Sequence, residues 1–234
     1  MTPLRTPQSW TRSITLPPNN SSATKKNTTT VTYTISTDPA LIQPEAVQAA
    51  FATDMIYWAR PFDEEELRVC LRTSLCLGLY VHDDGDGDGD EQKQDGQKQQ
   101  QQQEEEQETN PGLTETETTQ PEKGPEGEKQ PPKMQMIGLS RLITDTVTFA
   151  YLTDVYVLPA HQNRGLARWM MACLDQILNS WPNLRRCLLF TSGEGAVRLY
   201  EQTLGAREVI SGGTGGEGGG LVIMERTGPG KVFA

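Results

Sequence analysis

Asp154-Val-Tyr-Val-Leu-Pro-Ala-His-Gln-Asn-Arg-Gly-Leu-Ala167 is the stretch that decides the fold. The run that leads into it, Phe149 to Val157, is β-branched and aromatic and predicts a strand. Pro159 ends that strand, and Gly165 opens a helix on which Leu166, Met170, Cys173, Leu174, Ile177 and Leu178 recur at helical spacing. Pro182 follows the helix end. A strand, a short turn and a glycine-bearing helix start form an anion site on physical grounds. The first N–H groups of a helix lack partners within it, and its dipole favours negative charge. Gly165 and Ala167 let a phosphate approach the backbone, and Gln162 and Arg164 can add donors. The G-x-x-x-x-G-K spacing of a Walker loop is absent, and one glycine stands where a dinucleotide fingerprint needs three. An ordinary strand–turn–helix with an incidental glycine is the alternative reading of these residues alone.

Upstream, Met136–Ile143 and Phe149–Val157 read as antiparallel strands joined by Thr144–Thr148. Val31–Ile35 is a further strand, Pro44 opens a helix carrying Val47, Ala50 and Phe51, and Asp63 caps a second one starting at the acidic run Glu64–Glu66. Ser74–Val81 is a short apolar run suited to a buried strand. Downstream come a strand at Arg186–Thr191, a helix from Gly195 to Leu204, and two strands, Arg207–Ile210 and Leu221–Glu225, flanking the glycine run Gly212–Gly220. The expected class is α/β with a mixed sheet, in the order β-α-α-β-β-β-α-β-α-β-β.

The chain has 234 residues, 21 basic and 31 acidic, for a formal charge of −10. That total belongs mostly to one segment: residues 82–133 hold 16 of the acids and five of the bases. Leu113 is the only aliphatic or aromatic residue there, so the segment cannot offset backbone ordering of roughly 1–2 kcal/mol per residue. It reads as a disordered insertion at a hairpin tip, where loop closure costs little. Residues 1–30, rich in Ser, Thr, Asn and Pro, read as a second unstructured piece, leaving one domain over 31–234 interrupted at 82–133. The near-neutral remainder lacks the basic clustering of a nucleic-acid binder. No apolar run approaches the roughly 20 residues of a membrane span, and no secretory signal precedes the domain, so a cytoplasmic protein is expected. Cys70, Cys76, Cys173 and Cys187 have neither zinc nor disulfide-scaffold spacing, and no metal is expected. Asp84 to Asp95 imitates part of a calcium loop, but no apolar helices flank it.

Gln162-Asn-Arg-Gly-Leu-Ala167, the strand before it and Arg198-Leu-Tyr-Glu201 with Leu204-Gly-Ala206 after it resemble the GNAT superfamily of acetyl-CoA-dependent N-acetyltransferases. The resemblance spans residues 31–81 and 134–226. It implies a central sheet splayed open, with Val155, Tyr156 and Val157 alongside the pantetheine arm of acetyl-CoA. Gln162, Asn163, Arg164, Gly165, Leu166 and Ala167 would hold the pyrophosphate. It implies direct attack of a substrate amine on the thioester, so no Cys nucleophile is required. Tyr200 would act as general acid on the departing thiolate. The Tyr-to-Gly interval, Tyr200 to Gly205, is one residue longer than the family's. The fifth-strand Glu that several relatives use as base is replaced by Leu188-Leu-Phe190; Asp154 on the preceding strand is a candidate base for the ammonium proton, its alternative being a carboxylate that hydrogen-bonds neighbouring backbone. Tyr57, Trp58 and Asp145 are candidates for an acceptor pocket, each with a structural alternative, and His161 is expected to face solvent. The acceptor amine is not identified by any cluster of residues. A non-catalytic acyl-CoA-binding or interaction protein on the same scaffold is the second reading.

Overall fold

A computed structural model describes residues 6–17, 28–82, 134–211 and 220–231, of which 210 and 211 by their backbone alone. All of them belong to one compact unit. The expected insertion at 82–133 lies outside the described residues except for His82, as do residues 1–5, 18–27 and most of the glycine run.

Eight strands form one sheet in the order β1-β2-β3-β4-β5-β6-β8-β7. They are β1 (Ser9–Leu16), β2 (Thr29–Ser36), β3 (Leu75–His82), β4 (Met134–Thr144), β5 (Phe149–Val157), β6 (Arg186–Thr191), β7 (Arg207–Ser211) and β8 (Val222–Thr227). Helices α1 (Pro44–Phe51), α2 (Glu64–Arg72), α3 (Leu166–Asn179) and α4 (Glu194–Leu204) fall between them in the expected succession. The mixed α/β architecture and its element order from β2 to β8 are as the sequence predicts.

One expectation fails. Ser9–Leu16 is not unstructured; it pairs antiparallel with β2, from Ser9 opposite Ser36 to Leu16 opposite Thr29. Its odd positions are exposed, while Trp10, Ile14 and Leu16 are half-buried, the alternation of an edge strand. Hydroxyl pairs Thr11–Thr34 at 3.1 Å and Ser13–Thr32 at 3.2 Å lace the two strands together. Trp10 Nε1 also donates to Gln176 Oε1 of α3 at 3.1 Å, tying the edge to the core helix.

Two apolar layers sandwich the sheet. The stripe of α3 buries Leu166, Met170, Met171, Cys173, Leu174, Ile177 and Leu178 against Leu77, Leu79, Leu152 and Leu189. Each such side chain contributes about 1.5–3 kcal/mol. On the opposite face, Val47, Phe51, Leu67 and Leu71 of α1 and α2 meet Cys76, Tyr80, Leu139 and Tyr156. Asp63 caps α2 by accepting the Glu65 N–H at 3.0 Å, and Glu64–Glu66 occupy its first turn. Strand β3 pairs with β4 so that His82 faces Met134, which sets the residues that flank 83–133 side by side.

The sheet opens at one place. Strands β5 and β6 are parallel and pair only from Phe149/Arg186 to Leu152/Leu189. Beyond that point β6 continues beside β8 to Thr191, while β5 continues beside β4 to Val157. A gap therefore separates them just before the chain enters α3.

Candidate active site

Strand β5 carries a bulge where the gap begins. Leu139 faces Tyr156 and Arg141 faces Thr153, so β5 holds one residue more than β4 over this interval. Asp154 takes a left-handed backbone there, with φ of 51°. Its buried carboxylate accepts from Arg141 Nε at 2.6 Å and from Thr153 Oγ1 at 3.2 Å. Arg141 also donates to Ser74 Oγ at 3.0 Å.

Past the bulge, Leu158 N–H donates to Ile137 O at 2.8 Å. In this register Leu139/Tyr156 is the next hydrogen-bonding pair and Gly138/Val157, between them, is not one. Tyr156 therefore turns its main-chain groups to β4, and its ring lies in the α1/α2 core. Val157 turns its N–H and C=O away from β4, toward the gap. Of the three expected cofactor-strand residues, Val157 presents backbone there, Val155 sits in the bulge, and Tyr156 is directed elsewhere.

The turn that follows is built around two left-handed residues, Asn163 with φ of 60° and Gly165 with φ of 72°. Open space surrounds the position a Cβ would take on Gly165. No side chain caps α3, and no acidic residue stands in its first turn. Trp169 N–H bonds to Gly165 O at 3.0 Å, leaving the N–H groups of Leu166, Ala167 and Arg168 without a backbone acceptor. An uncapped helix start free of carboxylates, with glycine at its mouth, fits an anion such as a pyrophosphate. The Leu166 side chain is core, so its N–H is what it can offer.

The Gln162 and Arg164 side chains, expected as extra donors to the anion, instead fold back on the protein. Gln162 Nε2 donates to Val157 O at 2.8 Å. Arg164 Nη2 donates to Ala160 O at 2.8 Å, and its Nη1 donates to Tyr33 Oη. His161, expected in solvent, is half-buried with its ring edge-on to Tyr33.

Tyr200 lies on the buried side of α4, and burial pushes its phenol up to about 12, so it keeps its proton at neutral pH. The longer interval from Tyr200 is accommodated without a break: α4 runs to Leu204, and Gly205 closes it with φ of 61°. Burial likewise raises Cys76 and Cys187 to about 12 and Cys173 to about 11, which makes them poor thiolate nucleophiles. Among the described residues, no three His, Cys, Asp or Glu side chains converge as a metal site, and no helix is long and apolar enough to cross a membrane.

The three candidate acceptor-pocket residues separate. Asp145 organises the β4–β5 turn, its Oδ1 accepting the N–H groups of Val147, Thr148 and Phe149 at 2.9, 2.8 and 3.0 Å. Tyr57 and Trp58 are exposed, 72% and 48%, and stack edge-to-face. Tyr57 Oη bonds Ser192 Oγ at the end of β6, linking the α1–α2 connection to the strand on the far side of the gap. Ordinary hydroxyls such as Ser192 carry no sequence signal for such a contact.

Sequence comparison with known proteins identifies the family. The family model described as "Acetyltransferase (GNAT) family" matches residues 100–206. A Gibberella zeae protein named as a putative acetyltransferase is 36% identical over 183 residues, 78% of this chain and 84% of that one. The ribosomal-protein-S18-alanine N-acetyltransferase of Escherichia coli superposes with a TM-score of 0.46 at 15% identity, covering 86% of this chain and 96% of its own. A GNAT-family protein of Xanthomonas campestris pv. campestris gives 0.45 at 23% identity, covering 72% and 82%. With the splayed strands, the open helix start and a relative aligned over most of its length, the chain belongs to the GNAT acetyltransferase family and is an acyltransferase.

Proposed function

We propose that the chain transfers acetyl from acetyl-CoA to a primary amine by direct attack, without an acyl-enzyme. The observation that carries this reading is the break in β5–β6 pairing after Leu152/Leu189, which leads straight to the uncapped start of α3. An extended arm fits beside Val157, and the N–H groups of Leu166, Ala167 and Arg168 are free for its pyrophosphate. Acetyl-CoA supplies the activated acyl group as a thioester.

Tyr200, protonated and buried on α4, serves as the proton donor to the departing thiolate, and the proton lost by the attacking nitrogen passes to solvent, from which the phenol is restored. Asp154, expected as the base, is not available for that role, because its carboxylate is buried and already engaged by Arg141 and Thr153. Asp154 holds the bulge that aims β5 instead. Tyr57, bonded to Ser192 beside the end of β6, and Trp58, which stacks on Tyr57, would meet the acceptor.

Calorimetric titration of acetyl-CoA into the wild type and Gly165→Glu tests the reading. Glu places charge on the anion site at a backbone conformation that resists side chains. Micromolar binding by the wild type, lost in a folded variant, is expected, followed by CoA release in an amine panel. A folded wild type that does not bind acetyl-CoA overturns it.

A further inference from the structure

Tyr33 is fully buried on β2, yet its phenol reaches a turn 131 positions later in the chain. Arg164 Nη1 donates to Tyr33 Oη. His161 Nδ1 lies 3.5 Å from that oxygen and 3.4 Å from Arg164 Nη1. A guanidinium can only donate, so Arg164 supplies a proton to each acceptor it meets. The consistent arrangement has Arg164 donating to Tyr33, Tyr33 donating to His161 Nδ1, and a neutral His161 with its lone pair at Nδ1. Arg164 Nη2 meanwhile holds Ala160 O at 2.8 Å. One guanidinium thus ties the entry of the turn to the floor of the sheet.

We infer that Tyr33 is a positioning residue for acetyl-CoA, fixing through Arg164 the backbone N–H groups at the start of α3 that receive the pyrophosphate. The inference rests on the acetyl-CoA reading above. A turn with left-handed residues at Asn163 and Gly165 has other conformations within reach, and donors held in place beforehand bind an anion better than donors that must be ordered. The Gln162 contact to Val157 O braces the same turn from the gap side. Neither Gln162 nor Arg164 needs to touch the phosphate to matter.

Full-length wild type, Tyr33→Phe, Arg164→Lys and the double variant are titrated with CoA by calorimetry and with pantetheine, which lacks the pyrophosphate, by ligand-detected NMR. Tyr33→Phe keeps the packing and removes the hydrogen bond to the charged Arg164 together with the longer one to His161. It is expected to weaken CoA about tenfold and leave pantetheine unchanged. Arg164→Lys keeps the charge but cannot span Tyr33 and Ala160 together, so it gives the same split. The double variant is expected to be no worse than the poorer single one, because both remove one linkage. Wild-type affinity for CoA in Tyr33→Phe overturns the inference, as does an equal loss for CoA and pantetheine, which marks a merely structural effect. If Tyr33→Phe does not fold, the same split in Arg164→Lys, which alters no core side chain, decides. A wild type that binds neither ligand defeats the acetyl-CoA reading itself, and the positioning role with it.

Discussion

Arg141 Nε and Asp154 Oδ2 lie 2.6 Å apart across the β4–β5 bulge, with side-chain exposures of 11% and 8%. The pair sits on the one residue of β5 that adopts a left-handed backbone, a conformation that costs roughly 1–3 kcal/mol outside glycine and persists only where surrounding contacts hold it. Arg141 is itself fixed by Ser74 Oγ at 3.0 Å, and Ser74 donates in turn to Cys70 O at 2.8 Å. A chain of bonds therefore runs from the end of α2 through β4 to the point where β5 leaves its parallel neighbour. The geometry of the gap is anchored in a polar network on the opposite face from α3.

Removing one member of that pair leaves a buried charge without its partner. Asp154→Ala is expected to destabilise the protein by about 3 kcal/mol, measured by urea unfolding. Arg141→Ala should cost a similar amount, and the double variant less than the sum. Additive losses would show that the two side chains act independently and that the bulge is held by other means.

Tyr200→Phe separates proton donation from binding. The phenol is buried at the sheet side of α4, so the phenyl ring fills the same space. We expect kcat to fall about a hundredfold with acetyl-CoA affinity unchanged. Because burial raises the phenol to about 12, deprotonation of Tyr200 should leave no inflection in the wild-type rate between pH 7 and 10. An unchanged kcat in the variant would remove Tyr200 from the chemistry.

His161 gives the turn a pH dependence of definite sign. Burial and the neighbouring Arg164 guanidinium lower its pKa below the ordinary 6.5. Between those two values the unfolded chain holds the proton and the folded chain does not, so stability declines as pH falls through that window and is unaffected above it. Tyr33 from β2 and Arg164 from the turn are the polar groups facing the ring. The wild-type melting temperature should therefore drop more between pH 7 and 5 than that of His161→Asn, which accepts the same bond without titrating. Parallel profiles for the two proteins would place the ring outside the network.

What the sequence determined by itself was everything written in short-range periodicity. The helical spacing from Leu166 to Leu178, the acidic cap at Asp63–Glu66 and the strand before Gln162 were legible because neighbours within a few residues set them. The alternation of Trp10, Ile14 and Leu16 was equally present, but its Ser and Thr partners gave the composition of an unstructured tract, and only pairing with β2 made it a strand. Tertiary structure alone decided that β8 lies between β6 and β7, that Arg141 meets Asp154, and that Tyr33 meets Arg164. The physical reason is the same in each case. A propensity acts along the chain and can be read from it, whereas a hydrogen bond between residues 131 positions apart exists only once the sheet has brought β2 and the α3 turn within reach.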